Sequence, residues 1–294
     1  MNLIADSAEL QAFCARLASA DFITVDTEFL RDSTYWPKLC LLQVAGPEED
    51  AVAAVDTLAE GLDLEPLLAL FDDPKIVKVL HSARQDMEIF FHMSGRLPAP
   101  IFDTQVAAMV CGFGESVGYD TLVRKLTGAQ IDKSSRFTDW SRRPLAQRQL
   151  TYALADVTHL RTVYKKLARR LDKTGRASWL DEEMAILTSP ETYRLEPEEA
   201  WRRLKTRSND RRYLAVLRAL ATWREVEAQE RDVPRGRVLR DEQLFDIAAH
   251  RPTSEEELAR SRGINRDLAR GRIGKAILEA VGNGLGVPDG DLPK

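Results

Sequence analysis

The stretch ITVDTEFL, residues 23–30, decides the reading of this chain, because it sets two carboxylates inside a run of strand-forming apolar residues. Side chains alternate along an extended strand, so Asp26 and Glu28 share one face with Cα atoms about 6 to 7 Å apart, while Val25, Thr27 and Phe29 take the other. Two anions side by side repel, and burying them costs on the order of several kcal/mol per charge. A bound divalent ion removes that cost, and oxygen ligands suit Mg²⁺ or Mn²⁺. The other reading is an edge strand with both acids in water. The rest of the chain has to decide between them.

At 294 residues and 33.1 kDa, two compact units are expected, and 44% hydrophobic residues supply ordinary cores. No run approaches the roughly 18 apolar residues that a membrane span needs. The opening MNLIADSAELQAF carries acids where a secretion signal wants basic residues, which points to a cytoplasmic protein without a membrane partner. Cys14, Cys40 and Cys111 are odd in number and far apart, so neither a zinc site nor a disulfide framework is indicated. Net charge is −4, but it is segregated: residues 1–132 hold 9 Lys+Arg against 21 Asp+Glu, and residues 133–176 hold 12 against 3. An acidic site beside a basic track suits a polyanionic substrate that needs metal for its chemistry and cations for its grip. A solvated helix face explains the basic run equally well.

Along the chain, Leu10, Phe13, Cys14 and Leu17 recur at a helical period over 7–19, with Asp6 or Ser7 as cap. The acidic strand follows, then LCLLQVA (39–45) and DAVAAVD (50–56), which together form an antiparallel meander. A helix at 64–71, the strand IVKVL (76–80), a helix with Asp86 near its start, IFD ending at Asp103, and helices at 104–112 and 119–128 give a β–α order. SSRFTDWSRRP (134–144) is irregular, and Pro144 opens a long helix to about Leu171. Tyr152 and Asp156 lie four apart on it, hence on one side. Two prolines and mixed charge mark 176–205 as a linker or strap, and 205–281 reads as a small all-helical bundle, with segments 211–228, 241–249, 254–260 and 265–281.

The ordered pattern D-x-E, D, Y-x-x-x-D, formed by Asp26, Glu28, Asp86, Tyr152 and Asp156, resembles the DEDD superfamily of 3′-to-5′ exonucleases, in its tyrosine-bearing (DEDDy) branch. Thr151 stands where the histidine branch would have its His. The segments DTEF-x-R-x-x-x-Y-x-P-x-L-x-L-x-Q (26–43), H-x-x-x-x-D (81–86), DTQ (103–105), DK-S (132–134) and DW-x-x-RPL-x-x-x-Q-x-x-YA-x-x-DV (139–157) are similar to the ribonuclease D family. Residues 207–283, with VLRDEQLFDIA (238–248), resemble the helicase-and-RNase-D C-terminal (HRDC) domain. The resemblance implies an α/β fold: an RNase H-like mixed-sheet exonuclease domain at 1–175, a strap at 176–205, an HRDC bundle at 206–283 and a flexible tail at 284–294. Longer family members carry a second HRDC-like module, for which only about a dozen residues remain here.

That resemblance implies an exoribonuclease that trims tRNA precursors and other small structured RNAs from the 3′ end, releases nucleoside 5′-monophosphates and needs no obligatory protein partner. It further implies two Mg²⁺ or Mn²⁺ ions. Asp26, Glu28 and Asp156 would hold the water-activating ion, Asp26 would bridge to the second, and Asp86 would support that second ion through water. Tyr152, with an ordinary pKa near 10, is a poor base and is expected to orient the attacking water. Lys133, Arg136, Arg142, Arg143 and Arg148 are candidates to guide the RNA end, and Arg207, Arg211 and Arg212 to hold an RNA body. A DNA-trimming enzyme and a nucleic-acid tether with a dead nuclease fold are the competing readings. The complete set of carboxylates speaks against the tether, and no G-x-x-x-x-G-K-[ST] loop supports a helicase.

Overall fold

The structure, a computed structural model, describes residues 3–293; the first two residues of the expected nuclease domain and the last residue of the expected tail lie outside it. The chain forms two units. The first runs to Leu30 and resumes from Pro37 to Tyr193; the second takes Arg31–Trp36 and everything from Arg194 onward. The division therefore falls inside the expected strap, and six residues next to the acidic strand belong to the helical unit.

In the first unit the elements are β1 (Leu3–Ile4), α1 (Ser7–Leu17), β2 (Phe22–Leu30), β3 (Lys38–Ala45), β4 (Val52–Val55), α2 (Glu65–Asp72), β5 (Val77–Leu80), α3 (Arg84–Ser94), β6 (Ile101–Asp103), α4 (Thr104–Val110), α5 (Tyr119–Thr127), α6 (Gln147–Thr174) and α7 (Asp181–Leu187). The strands make one sheet in the order β1-β4-β3-β2-β5-β6. β2, β3 and β4 are the antiparallel meander, while β5 joins β2 and β6 joins β5 in parallel. The sheet is mixed because loops 31–37 and 46–51 return the meander, whereas helices separate the parallel strands. β1 pairs with β4, over a length too short to read from sequence.

Acidic β2 sits in the middle of the sheet, which excludes the solvated-edge reading. One face is covered by α1, α2 and α3 through Leu10, Phe13, Leu67, Phe71, Met87 and Phe90. The other carries α6, whose stripe Leu160, Val163, Leu167 and Leu171 packs with Phe22 and Val79. Thr24 pins α6 to β2 by donating its hydroxyl to the Val157 carbonyl at 2.8 Å. This bond forms on the face that Asp26 and Glu28 share with Thr24.

In the second unit, α8 (Arg211–Glu230), α9 (Arg235–Val238), α10 (Asp241–His250), α11 (Glu255–Leu258), α12 (Arg266–Arg270) and α13 (Arg272–Leu285) enclose Leu217, Leu220, Leu244, Ile247, Leu258 and Ile277. The helix expected over 265–281 is broken at Gly271, which caps α12 with extended backbone and starts α13. Gly274 makes that corner possible, since a Cβ there would stand 2.0 Å from the Ala269 carbonyl oxygen. Residues at the end of the chain, expected to be loose, are bonded to α8: Arg211 donates to Leu292 O at 2.7 Å and Arg212 to Asp289 at 2.6 Å. No helix among the described residues is long and apolar enough to cross a membrane.

Candidate active site

Asp26 and Glu28 project from β2 toward α6, and Asp156 comes down from α6 to meet them. Carboxylate oxygens of these three lie within 4.8 Å of one another. The sheet supplies the first two by strand alternation; the helix supplies the third because Thr24 and the apolar stripe fix its rotation. Asp86, in the first turn of α3, stands outside this trio. Its Oδ1 accepts a hydrogen bond from Thr27, the residue between the two strand acids, whose side chain leaves β2 on the opposite side. Thr27 is a mere spacer in the sequence pattern, yet it ties the second acidic element to the first.

Electrostatics follow from that crowding. Asp26 is held well above the usual carboxylate range, first by burial and then by the charges of Asp156, Asp86 and Glu28. Burial, with Asp156 and Asp86, pushes Glu28 up to about 9, while Arg136 pulls it down. Burial also raises Asp86 and Asp156 to about 7, and Tyr152 and Arg136 oppose it at Asp156. Two buried and two half-buried acids are pushed toward neutrality, and among the described residues Arg136 is the one cation whose charge opposes this, so compensating positive charge is lacking. An all-oxygen donor set of this kind fits a hard divalent ion. Tyr152 is raised by burial and by the charges of Asp156, Glu28 and Asp26, so its hydroxyl keeps its proton. Its ring lies 6.2 Å from the buried Trp140 ring.

Sequence reasoning gave no role to two supports, Tyr119 and Asp103. Tyr119, on α5, donates its hydroxyl to the main-chain carbonyl of Asp156. Asp103 caps α4 through Gln105 N at 2.7 Å and also accepts from Ser82 N at 3.0 Å and Ala83 N at 2.8 Å. Ser82 has a left-handed φ of 60°, an unfavourable backbone state that the Asp103 carboxylate holds in place at the start of the helix bearing Asp86. The DTQ segment is the visible signal for that cap. Gln43 is fully buried on β3 directly across from Asp26, and its amide has no hydrogen-bond partner among the described residues.

The basic track divides in two. Arg136 reaches the site, since its charge acts on Glu28 and Asp156. Lys133 pairs with Asp120 at 2.8 Å and Arg142 with Asp139 at 3.2 Å, both partly exposed, and Arg148 is exposed. Arg143 uses all five N–H donors inside the protein, on Asp56, Cys40 O, Trp140 O and Arg142 O. Arg207 is exposed; Arg211 and Arg212 are engaged with the chain end as described.

Three clustered carboxylates on a mixed sheet, with a fourth acid and a tyrosine beside them, define a nuclease of the 3′-5′ exonuclease class. The 3′-5′ exonuclease family model matches residues 1–172, and the HRDC domain model matches residues 213–281. The chain is 54% identical over 292 residues to the ribonuclease D of Granulibacter bethesdensis, covering 99% of this chain and 73% of that relative. It is 53% identical over 295 residues to the ribonuclease D of Jannaschia sp., covering 100% and 76%. The crystal structure of Escherichia coli RNase D, an exoribonuclease involved in structured RNA processing, has a TM-score of 0.88 at 34% identity, over 100% of this chain and 78% of that one. The catalytic core of RRP6 from Trypanosoma brucei, at TM-score 0.71 and 24% identity over 97% and 79%, shares the fold. This chain belongs to the ribonuclease D family and is a 3′-5′ exoribonuclease.

Proposed function

We propose that this exoribonuclease trims tRNA precursors and other small structured RNAs in the cytoplasm, releasing nucleoside 5′-monophosphates with the help of two divalent ions, Mg²⁺ or Mn²⁺. The convergence of the Asp26, Glu28 and Asp156 carboxylates within 4.8 Å carries this reading. Those three would hold one ion, Asp26 would share the second, and Asp86 would support it. When bound, such a pair activates water and neutralises charge on the attacked phosphodiester. Tyr152 keeps its proton, so its hydroxyl can orient the attacking water in line with the departing 3′ oxygen but cannot serve as a base. Arg136, Lys133, Arg142 and Arg148 would guide the RNA end, with Arg143 acting as their scaffold. The three cysteines, all free and buried, fit a reducing compartment.

The test is incubation of the purified protein with a 3′-extended tRNA and a matched single-stranded DNA, with and without Mg²⁺ or Mn²⁺. Stepwise release of 5′-monophosphates from the RNA end, abolished by chelator, is expected. Full activity in excess chelator, internal cleavage, or preference for DNA would each defeat the reading.

A further inference from the structure

Gln43 interrupts the apolar run of β3. It is the one side chain of LCLLQVA, residues 39–45, that carries an amide or a charge, and it lies inside the sheet, between β4 and β2, with 0% of its surface exposed. Neither its Nε2 nor its Oε1 has a hydrogen-bond partner among the described residues. A primary amide brings two N–H donors and an acceptor oxygen, and burying them unpaired costs stability that an apolar side chain of similar volume would not cost. Such an exception in a folded chain points to a partner that arrives with a ligand or an ion.

The strand register names the neighbours. Gln43 is paired with Asp26 on β2 and with Ala54 on β4, and Leu41 and Ala45 share its face two positions away on β3. Leu41, Ala45 and Ala54 are apolar and fully buried, so Asp26 is the one polar side chain among these four. Directly paired residues of antiparallel strands hold their Cβ atoms about 4.5 to 5.5 Å apart on one face, which puts a carboxylate within reach of a glutamine amide. Thr24, the diagonal neighbour on that face, commits its hydroxyl to Ala45 O at 3.3 Å and Val157 O at 2.8 Å. A carboxylate that holds an ion keeps lone pairs the ion does not use, and a donor to them sets its rotation. A neutral amide does this without bringing a cation to compete with the ion and without titrating.

We propose that Gln43 is a positioning residue: its amide donates to the Asp26 carboxylate when that group holds a divalent ion, and so fixes the rotation in which Asp26 meets Glu28 and Asp156. The proposal rests on the reading of these three carboxylates as a metal site.

The experiment titrates Mn²⁺ alone, by calorimetry and without RNA, into the full chain as wild type, as Gln43→Met and, for a control that lacks a ligand, as Asp26→Asn. The metal-free melting temperature of each is measured alongside. Gln43→Met keeps the side-chain volume and removes the amide; should it fail to fold, Gln43→Leu carries the test. Affinity for Mn²⁺ should fall about 10-fold, as for other partners of ligating groups. The metal-free melting temperature should be no lower than that of wild type, because no hydrogen bond is lost there. Unchanged Mn²⁺ affinity overturns the positioning role. A lowered metal-free melting temperature, or failure of both variants to fold, also overturns it, since either shows that the amide already has a partner in the metal-free chain. A wild type that takes up no more Mn²⁺ than Asp26→Asn overturns the metal reading, and this proposal with it.

Discussion

Asp156 joins three influences in one residue: its carboxylate completes the acidic trio, its main-chain carbonyl accepts from Tyr119, and its charge adds to burial in holding the proton on Tyr152. Tyr152→Phe keeps the ring beside Trp140 and deletes the hydroxyl alone. Single-turnover hydrolysis should fall about 100-fold, within the range of positioned proton donors, with RNA affinity unchanged. Tyr119→Phe removes a support rather than a reacting group, so its effect should be about 10-fold and should shrink as Mg²⁺ is raised. Activity measured across a Mg²⁺ titration separates the two variants. Binding of the ion to the folded state alone stabilises it by mass action. Mg²⁺ or Mn²⁺ should therefore raise the melting temperature of wild type, and Asp26→Asn should lose both that rise and the activity. A melting temperature that ignores both ions in wild type would remove the metal from the site.

Among the elements, the end of β4 and the segment before α6 are joined through Asp56 and Arg143, an ion pair at 2.6 Å with side chains 11% and 26% exposed. Burial alone would raise the Asp56 carboxyl, but the bonds and charge of Arg143 outweigh it and bring it below the usual range. A lowered folded-state pKa means that the pair stabilises the protein above the unfolded value of about 3.9 and loses that contribution as pH falls through the lower folded value. Arg143→Met should cost about 2 to 3 kcal/mol at neutral pH, under the fully buried range because the pair is partly wet, and the gap to wild type should narrow below about pH 4, leaving the share due to the bonds to Cys40 O, Trp140 O and Arg142 O. Denaturant unfolding at several pH values reads this. In the bundle, α13 lies against α8 at Gly284, where a Cβ would come within 2.5 Å of the Val216 Cα. Gly284→Ala should destabilise that unit by about 1 to 3 kcal/mol. Gly282, with open space where its Cβ would go, should tolerate alanine or gain up to about 1 kcal/mol. Equal melting shifts at the two glycines would contradict this close approach.

For the molecule as a whole, the Arg31–Trp36 segment matters most, because it leaves the acidic strand to become part of the helical unit. Tyr35 packs with Ala228 and Val238, and Asp232 accepts from the main-chain N–H groups of Tyr35 and Trp36, each at 3.0 Å. Removing residues 194–294 strips these aromatics of their partners. The shortened chain should be poorly soluble, and Tyr35→Ser/Trp36→Ser should restore part of its yield; a shortened chain as soluble as the full one would show that the segment finds cover without the bundle.

Much of this is legible in the order of residues. Period-two and period-3.6 patterns report local burial, so the meander, the long helix with Tyr152 and Asp156, and the helical bundle are all readable, as are the four acids in sequence order. Tertiary structure decided what local patterns do not encode. Asp26 and Glu28 are adjacent by strand geometry alone, but Asp156 joins them only because helix rotation and the Thr24 bond bring distant parts of the chain together. Arg143, Arg211 and Arg212 look like RNA-binding residues because charge is visible in sequence, whereas the partners that occupy them come from distant segments. Thr27 and Tyr119 carry no separate signal for the same reason: a hydroxyl acquires its role from the atom it meets across the fold, and that meeting is a property of the packed chain.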